Sequence, residues 1–445
     1  MRSGRTENLA PALDFSRSCG ISAARVAFRR AFPDPLVSLI VQKYGGTSVG
    51  TAERIRNVAG RILESHRQGN QVVAVVSAMA GVTNKLIELA GDVTGEERSP
   101  TEREMDVLLS TGEQTTIALT AMAINAMGGK AVSLTGAQAG IETDGVHTKA
   151  RISNITPSEV HRFLDESNIV ILAGFQGRTP EGRITTLGRG GSDLTAIAMA
   201  AAIDADLCQI FTDVDGVYTC DPRVVADARK LDEISYDELL EMASSGTKVM
   251  QSRSVEFAKK FGVPFEVRSS LNDNPGTLVR EETMSMESVV IRGVSLERDQ
   301  AKVTITGVGD QPGTASKIFG PVAQANVIID MIVQNVSKTG ITDISFTLNK
   351  ADLAKAETAL KPVLAALGES VTMEAEDGIA KLSVVGIGMR SHAGVAAEMF
   401  ETLSAAGVNI QMISTSEIKI TVTVSEDQIE TAARAIHDKF GLAKA

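Results

Sequence analysis

Three short stretches of the 445-residue chain gather the residue types that anion chemistry needs. In the first, an apolar run ends in Lys43-Tyr44-Gly45-Gly46-Thr47-Ser48. Glycines let backbone N–H groups crowd an anion, and a following helix start adds partial positive charge. Lys43 would supply a point charge for a phosphoryl group in transfer. The second stretch, Thr186-Leu187-Gly188-Arg189-Gly190-Gly191-Ser192-Asp193, has the same form, and its arginine offers a planar fork for a carboxylate or phosphate. The third, Thr212-Asp213-Val214-Asp215-Gly216-Val217-Tyr218, runs on to Asp221-Pro222-Arg223. Its acids would either hold Mg²⁺ through water or order the loop, while Tyr218 and Arg223 would face a nucleotide. Any one of these is also what a plain steric turn looks like. All three after strand ends of one alternating unit point to phosphoryl transfer.

Other phosphate motifs are missing. There is no GxxxxGK[ST], and Gly307-Val308-Gly309 and Gly386-Ile387-Gly388 do not complete GxGxxG, since the third glycine falls at 313 or 394. If the acceptor is a free carboxylate, it is ionised at neutral pH and needs no general base. None of His66, His147 or His161 stands where a base would. An amino-acid acceptor needs an acid for its ammonium and an arginine for its α-carboxylate, and Glu113 and Arg189 are the evident pair.

These stretches must be positioned by the elements between them. From residue 36 to 283 aliphatic runs (37–41, 72–77, 131–134, 169–173, 207–212) alternate with helical patterns (51–64, 104–127, 157–166, 192–203). That rhythm predicts an α/β fold, a mainly parallel sheet with helices on both faces and ligands beyond the carboxyl ends of its strands. Hydrophobic residues at 43% and no Trp fit a core of Ala, Val, Ile and Leu, and exclude disorder for most of the chain. A net charge of −11 argues against nucleic-acid or anionic-membrane partners, and no apolar stretch is long enough to span a bilayer. Cys19, Cys208 and Cys220 form no CxxC pair, so neither a zinc site nor a disulfide framework is supported and the compartment reads as reducing.

Beyond residue 284 the chain repeats itself. Val303–Gly309 is matched 79 positions later by Leu382–Gly388. Each copy continues through a glycine turn (Gly313, Gly394), a helix (Phe319, Phe400), an alternating strand and a second helix. The second copy runs out before a final strand, and the orphan run 289–296 is expected to fill that gap by pairing with it, which interleaves the two βαββα units. Residues 1–37 hold six of the arginines (Arg2, Arg5, Arg17, Arg25, Arg29, Arg30) and read as a disordered extension, with a targeting leader or an over-long start as alternatives.

Val41–Ser48, Val76–Asn84, Leu187–Asp193 and Thr212–Tyr218, in this order and spacing, together resemble the aspartokinases, most closely the bacterial monofunctional type. The resemblance runs from residue 38 to the end. It implies an amino-acid-kinase domain over 38–283 and two interleaved ACT-type βαββαβ domains over 284–445, the first at 300–376 and the second at 380–445 plus strand 289–296. The implied reaction is transfer of the ATP γ-phosphoryl to the β-carboxylate of L-aspartate, giving 4-phospho-L-aspartate, with Mg²⁺, in the cytoplasm. It opens lysine, threonine and methionine biosynthesis, and in bacteria diaminopimelate. Carried over motif by motif, Lys43 stabilises phosphoryl charge and Asp193 helps hold it. Ser77, Thr83, Glu113, Arg189, Gly190, Gly191 and Ser192 surround aspartate. Lys43, Tyr44, Gly45, Gly46, Thr212, Asp213, Tyr218, Asp221, Arg223, Lys248 and Val249 line the nucleotide site.

The same resemblance makes the repeated modules sensors for lysine, threonine or both, through Asp310, Pro312, Gly313, Thr314, Ala315 and Gln334 with Asn409 and Ile410. It implies a homo-oligomer, dimeric through the ACT domains, or an α2β2 assembly whose regulatory subunit starts internally near Met284 or Met286. The alternatives are a kinase for another acidic amino acid and a non-catalytic amino-acid-binding regulator. The intact Lys43, Glu113, Arg189 and Asp193 weigh against the latter.

Overall fold

The computed structural model describes residues 38–95, 100–247, 249–283, 289–335, 340–368 and 370–443. Residues 1–37, Lys248, Met284 and Met286, for which the sequence raised expectations, therefore lie outside the described residues. The chain divides into two compact units that meet between Cys208 and Gln209.

In the first unit, strand β1 (Leu39–Tyr44) leads to helix α1 (Ala52–Arg67), then β2 (Gln71–Val76), α2 (Val82–Thr94) and α3 (Glu102–Ala126). Next come β3 (Ala131–Leu134), β4 (Ile141–Thr143), β5 (Ile152–Ile155), α4 (Ser158–Asp165), β6 (Ile169–Ala173), β7 (Gln176–Arg178), β8 (Ile184–Thr186) and α5 (Gly191–Ala202). Strands β1, β2, β6 and β3 lie side by side in that order, all parallel. Every side chain of β6 is fully buried, as are Val72–Val76 of β2, which is why these strands read as unbroken aliphatic runs. Helix α5 lies against β1 and β2, and α3 against β3 and β6. Its many alanines suit α5 to this place, because small side chains let helix and sheet approach closely.

A second sheet, in the order β5-β4-β7-β8, was not expected from the sequence. Its strands are three or four residues long and partly polar (Ile-Glu-Thr, Gln-Gly-Arg, Ile-Thr-Thr), so no hydrophobic run marks them. It corrects the context of the second glycine turn. A β7–β8 hairpin intervenes after β6, and the turn at 187–190 leaves β8 instead.

Strand β9 (Leu207–Thr212) carries the chain into the second unit. There β10 (Glu233–Ser235) precedes α6 (Tyr236–Ser244) and α7 (Ser252–Phe261), followed by β11 (Phe265–Ser269) and β12 (Thr277–Arg280). β12 pairs in parallel with β10 and antiparallel with β11. The repeats follow as β13 (Gly293–Gly309), α8 (Thr314–Gln324), β14 (Ile329–Gln334), β15 (Ile341–Asn349) and α9 (Leu353–Leu367), then β16 (Thr372–Val385), α10 (Val395–Ala405), β17 (Met412–Thr415), β18 (Lys419–Ser425) and α11 (Ile429–Lys439).

They form one six-stranded sheet, β14-β15-β13-β16-β18-β17. The interleaving is present. Gly293–Glu297 pairs with Val385–Lys381 at the start of the second copy, which in turn pairs with β18. The orphan run is not a separate strand, however. Its last four residues are the head of β13, a single 17-residue strand whose tail, from Gln300, is the first strand of the first copy. Reciprocally, Thr372–Ile379 of β16 pairs back onto β13 and gives the first module its closing strand. Among the described residues no helix is long and apolar enough to cross a membrane.

Candidate active site

The first unit brings its candidate residues together at the carboxyl ends of β1 and β2. Lys43 sits near the end of β1 and is 8% exposed. Its Nζ lies 2.6 Å from Asp193 Oδ1, in the first turn of α5. Asp193 Oδ1 has no hydrogen-bond partner among the described residues, so its contact with Lys43 is an ion pair. Helix α5 can start there because Gly190 takes a left-handed conformation at its N-cap (φ 71°), which a Cβ would strain. A second glycine is needed for a different reason. A Cβ on Gly46 would come within 2.8 Å of the Ala78 carbonyl oxygen, so Gly46 is what lets the turn after β2 close onto the turn after β1.

The turn after β2 carries Ser77, whose N–H donates to the Tyr44 carbonyl (3.1 Å), and Thr83 in the first turn of α2. Both are half-buried. Glu113 reaches it from α3, and Glu113 Oε1 accepts the Ala78 N–H at 3.0 Å. Glu113 is buried and its Oε2 has no hydrogen-bond partner among the described residues. Burial therefore pushes its carboxyl up to about 7, against a smaller lowering by the Ala78 N–H. Ser192 is 8% exposed, with Gly174 against it. Arg189 is exposed and has no hydrogen bond or ion pair among the described residues. Tyr44 is fully buried, its hydroxyl bonding Gln42 Oε1 (3.3 Å), so any contribution it makes to ligand binding is through its backbone. Beneath the pair, Cys208 is wholly buried, and burial, then the Asp193 charge, raises its thiol far above the usual range.

One face of α3 ties this region together. Asp106, Ser110 and Glu113 recur at helical spacing, all three buried. Asp106 accepts from His147 Nδ1 (2.6 Å), the Thr148 N–H (3.0 Å) and Thr186 Oγ1 (2.5 Å), while the Ser110 carbonyl accepts from Gln176 Nε2 (3.0 Å). Sequence reasoning passed over Asp106. The usable signal was an acid seven residues before Glu113 on the same helical face.

In the second unit the third stretch is a tight loop. Thr212 Oγ1 accepts the Val214 N–H (3.1 Å), and Asp213 is exposed. Asp215 accepts from Asn272 Nδ2 (2.7 Å) and Asn274 Nδ2 (3.3 Å), which hold its carboxyl below the usual range. Of the two readings for these acids, Asp215 therefore orders the loop, and Asp213 is left for solvent or a cation. Tyr218 is half-buried, and its hydroxyl is pushed up by burial and then by the Asp215 charge. Arg223 is exposed, and its Nε and Nη2 grip the carboxylate of Asp221, with Nη2–Oδ2 at 2.7 Å. Asp221 is thus the arginine's holder. Val249 is half-buried in the turn before α7.

The sensor residues lie around the start of α8. Gly313 is its left-handed N-cap (φ 93°), Thr314 Oγ1 donates to the Gly309 carbonyl (3.1 Å), and the Asp310 N–H donates to Gly340 (2.9 Å). Asp310, Pro312, Gly313, Ala315, Gln334 and Asn409 are exposed, while Ile410 packs against the core of the second module.

Known proteins carry the same architecture. Residues 38–269 match the amino acid kinase family, and residues 302–365 and 382–440 each match the ACT domain. Aspartokinase from Pseudomonas aeruginosa is 53% identical over 408 residues, 91% of this chain and 98% of that one. The structure of E. coli aspartokinase III in complex with aspartate and ADP, described as the R-state, is 27% identical and has a TM-score of 0.74, over 90% of this chain and 99% of that one. The same enzyme in complex with lysine and aspartate, described as the T-state, gives 0.73 over the same shares. The chain belongs to the amino acid kinase family, as one of its aspartate kinases with paired ACT domains.

Proposed function

We propose that the first unit binds L-aspartate and the phosphoryl group in transfer, and that the 212–223 loop with Val249 and Lys248 binds the nucleotide. The observation that carries this reading is the buried Lys43–Asp193 pair at the mouth of two glycine turns, with Glu113 buried in the same unit. A lysine held this way is fixed in place and still has donors left for an anion. The β-carboxylate oxygen of aspartate attacks the γ-phosphorus, the new O–P bond forms as the bond to the β-phosphate oxygen breaks, and ADP leaves. The acceptor carries no proton to remove, so the residues work by positioning and by neutralising charge. Lys43 and the N–H groups of Gly45 and Gly46 face the charge that spreads over the phosphoryl oxygens. Arg189 takes the α-carboxylate, Glu113 the ammonium, and Ser77, Thr83, Gly190, Gly191 and Ser192 complete the pocket. Glu113 suits this role because an arriving ammonium favours its ionised form, which the empty pocket disfavours.

Mg²⁺ fits this donor set as an ion accompanying the nucleotide. The exposed carboxylate of Asp213 is a hard oxygen ligand able to reach it through water, and Asp215 is already committed to Asn272 and Asn274. When bound, the ion would neutralise phosphate charge.

The domain limits we propose are 38–283 for the kinase and 284–445 for the sensors, the first ACT domain at 300–376 and the second at 380–445 with 289–296. Lysine or threonine, singly or together, would bind around Asp310–Ala315, Gln334, Asn409 and Ile410. Lysine gains support from its complex with the E. coli relative. A dimer through the ACT domains, or an α2β2 assembly with an internally started subunit, and a cytoplasmic location complete the reading. The test is ATP consumption by purified protein with aspartate or glutamate, the acyl phosphate being trapped as a hydroxamate by hydroxylamine. Aspartate should give the hydroxamate and glutamate far less. No aspartate-dependent hydroxamate overturns the reading.

A further inference from the structure

Arg189 poses a question of position. Its side chain has no partner among the described residues, so only the backbone of the turn 187–190 determines where its guanidinium can reach. That turn is bracketed. At its start, Thr186 Oγ1 donates to Asp106 Oδ1 (2.5 Å) and the Thr186 carbonyl accepts the Ala150 N–H (2.9 Å). In its middle, Gly188 lies so close to the Thr148 carbonyl oxygen that a Cβ would sit 3.3 Å from it. Thr148 is itself held awkwardly. It has φ 62°, a left-handed conformation that a β-branched residue adopts only when its surroundings enforce it. What enforces it is Asp106 again. Its two carboxylate oxygens accept the Thr148 N–H at 3.0 and 3.2 Å, and Oδ2 also meets His147 Nδ1 at 2.6 Å.

One fully buried carboxylate on α3 therefore grips both the strand end that launches the turn and the loop that props it. Seven residues along a helix is nearly two turns, so Asp106 faces the same side as Glu113, about 10 Å away. The rigid helix thus links the group proposed for the substrate ammonium with the group that places the arginine proposed for its α-carboxylate.

We infer that Asp106 is a positioning residue for the amino-acid acceptor: by fixing Thr186 and the 147–148 loop it sets the distance at which Arg189 meets the α-carboxylate. The inference rests on the aspartate-site reading above. It is tested with Asp106→Asn, which keeps size and shape but cannot accept on both oxygens, measured in the full chain alone and together with Arg189→Ala. The expected result is a rise of about ten- to hundredfold in KM for aspartate, as suits the loss of charge-assisted hydrogen bonds. KM for ATP should stay within about twofold, since Arg189 has no role with the nucleotide. In the Arg189→Ala background Asp106→Asn should add little, because the two act through one contact.

Equal effects on both KM values, or full additivity with Arg189→Ala, would make Asp106 merely structural and overturn the inference. If Asp106→Asn does not fold, Thr186→Val removes one of the gripping bonds. It should still raise KM for aspartate several-fold without moving KM for ATP, and an unchanged KM for aspartate overturns the inference equally. Arg189→Ala separates the two levels. If it leaves KM for aspartate unchanged, the site reading itself has failed. If it raises KM while Asp106→Asn does not, only the positioning role has.

Discussion

The acceptor half and the nucleotide half of the proposed machinery are built in opposite ways. In the first unit Lys43 and Glu113 are buried, Arg189 stands exposed on its turn, and the bracing comes from within that unit: Lys43 by Asp193, Glu113 by the Ala78 N–H, and the arginine turn by Asp106. In the second unit Asp213 and Arg223 are exposed, and their loop is braced from the regulatory modules. The Thr219 carbonyl accepts the Val294 N–H (2.7 Å), Thr219 Oγ1 meets His437 Nε2 (3.0 Å), and Arg434 Nε donates to the Val224 carbonyl (3.0 Å). Cys220 and Val225 belong to the core of the second module, whereas the first module has a core of its own. The lesson is a division of labour. On the proposed reading, the acceptor side is braced from within its own unit and the nucleotide loop is braced by the ACT modules of the second.

The largest effects should come from the acceptor half. Lys43→Ala should lower kcat by about a thousandfold or more, because a charge that meets the transferring phosphoryl acts most in the transition state. Steady-state kinetics checks this. A change confined to KM for ATP would move Lys43 out of phosphoryl transfer and blunt the contrast. Arg189→Ala should mainly raise KM for aspartate, by about a hundredfold for a lost charged contact.

Burial makes Glu113 a pH sensor of the acceptor half. Burial pushes its carboxyl up to about 7, and only the ionised form attracts an ammonium. KM for aspartate should be flat above that pH and rise up to about tenfold per pH unit below it. Glu113→Gln should remove that slope, and a slope that survives would assign the titration to another group. Stability runs the other way. The folded pKa lies above the ordinary glutamate value of 4.5, so the native state loses stability as pH rises from there through about 7. Glu113→Gln should thus be more stable than the parent at pH 8, by up to roughly 3 kcal/mol, read from denaturant midpoints.

How much of this was legible in the sequence follows the same line. β3, β6 and β9 stand where their aliphatic runs placed them, because strands buried on both faces write themselves as continuous apolar segments. Lys43, Gly45, Gly46 and Asp193 were visible for a related reason, since an anion site at a strand end needs those types close together in the chain. Asp106 was not, because acids are so seldom fully buried that an acid in a helix reads as surface. The β4, β5, β7 and β8 strands were missed for lack of any apolar run, and the fusion of run 293–296 into β13 because the charged stretch Glu297-Arg298-Asp299 separates it from the apolar run of the first copy. The split of duties between Asp213 and Asp215 depends on Asn272 and Asn274, some 57 residues distant, which no local pattern announces.

The graft between loop and sensor gives a smaller, sharper test. His437 is fully buried, and burial pushes its imidazole pKa down, so it stands neutral against Thr219. Thr219→Val removes that bond and the one Oγ1 accepts from the Arg229 N–H (2.9 Å). KM for ATP should rise about two- to fivefold, as suits one or two neutral hydrogen bonds, with KM for aspartate unmoved. A shift in KM for aspartate instead would mean the acceptor half is not insulated.

The smallest expected effect separates the two modules themselves. Gly313 and Gly394 are matching N-caps of α8 and α10, at φ 93° and 101°, and a Cβ at either would meet open space. Alanine at either place strains the backbone alone, at a similar cost of about 1–2 kcal/mol. The strain falls on different things. At 313 it distorts the exposed turn proposed to receive the effector, in a module with its own core. At 394 it distorts a module whose core holds Cys220 of the proposed nucleotide loop and Val225 just after it. Gly313→Ala should therefore raise the half-inhibitory concentration of lysine or threonine several-fold and leave uninhibited kinetics alone. Gly394→Ala should instead raise KM for ATP modestly even without effector. Identical profiles for the two variants would mean the modules are equivalent, and the nucleotide loop would then owe nothing particular to the second.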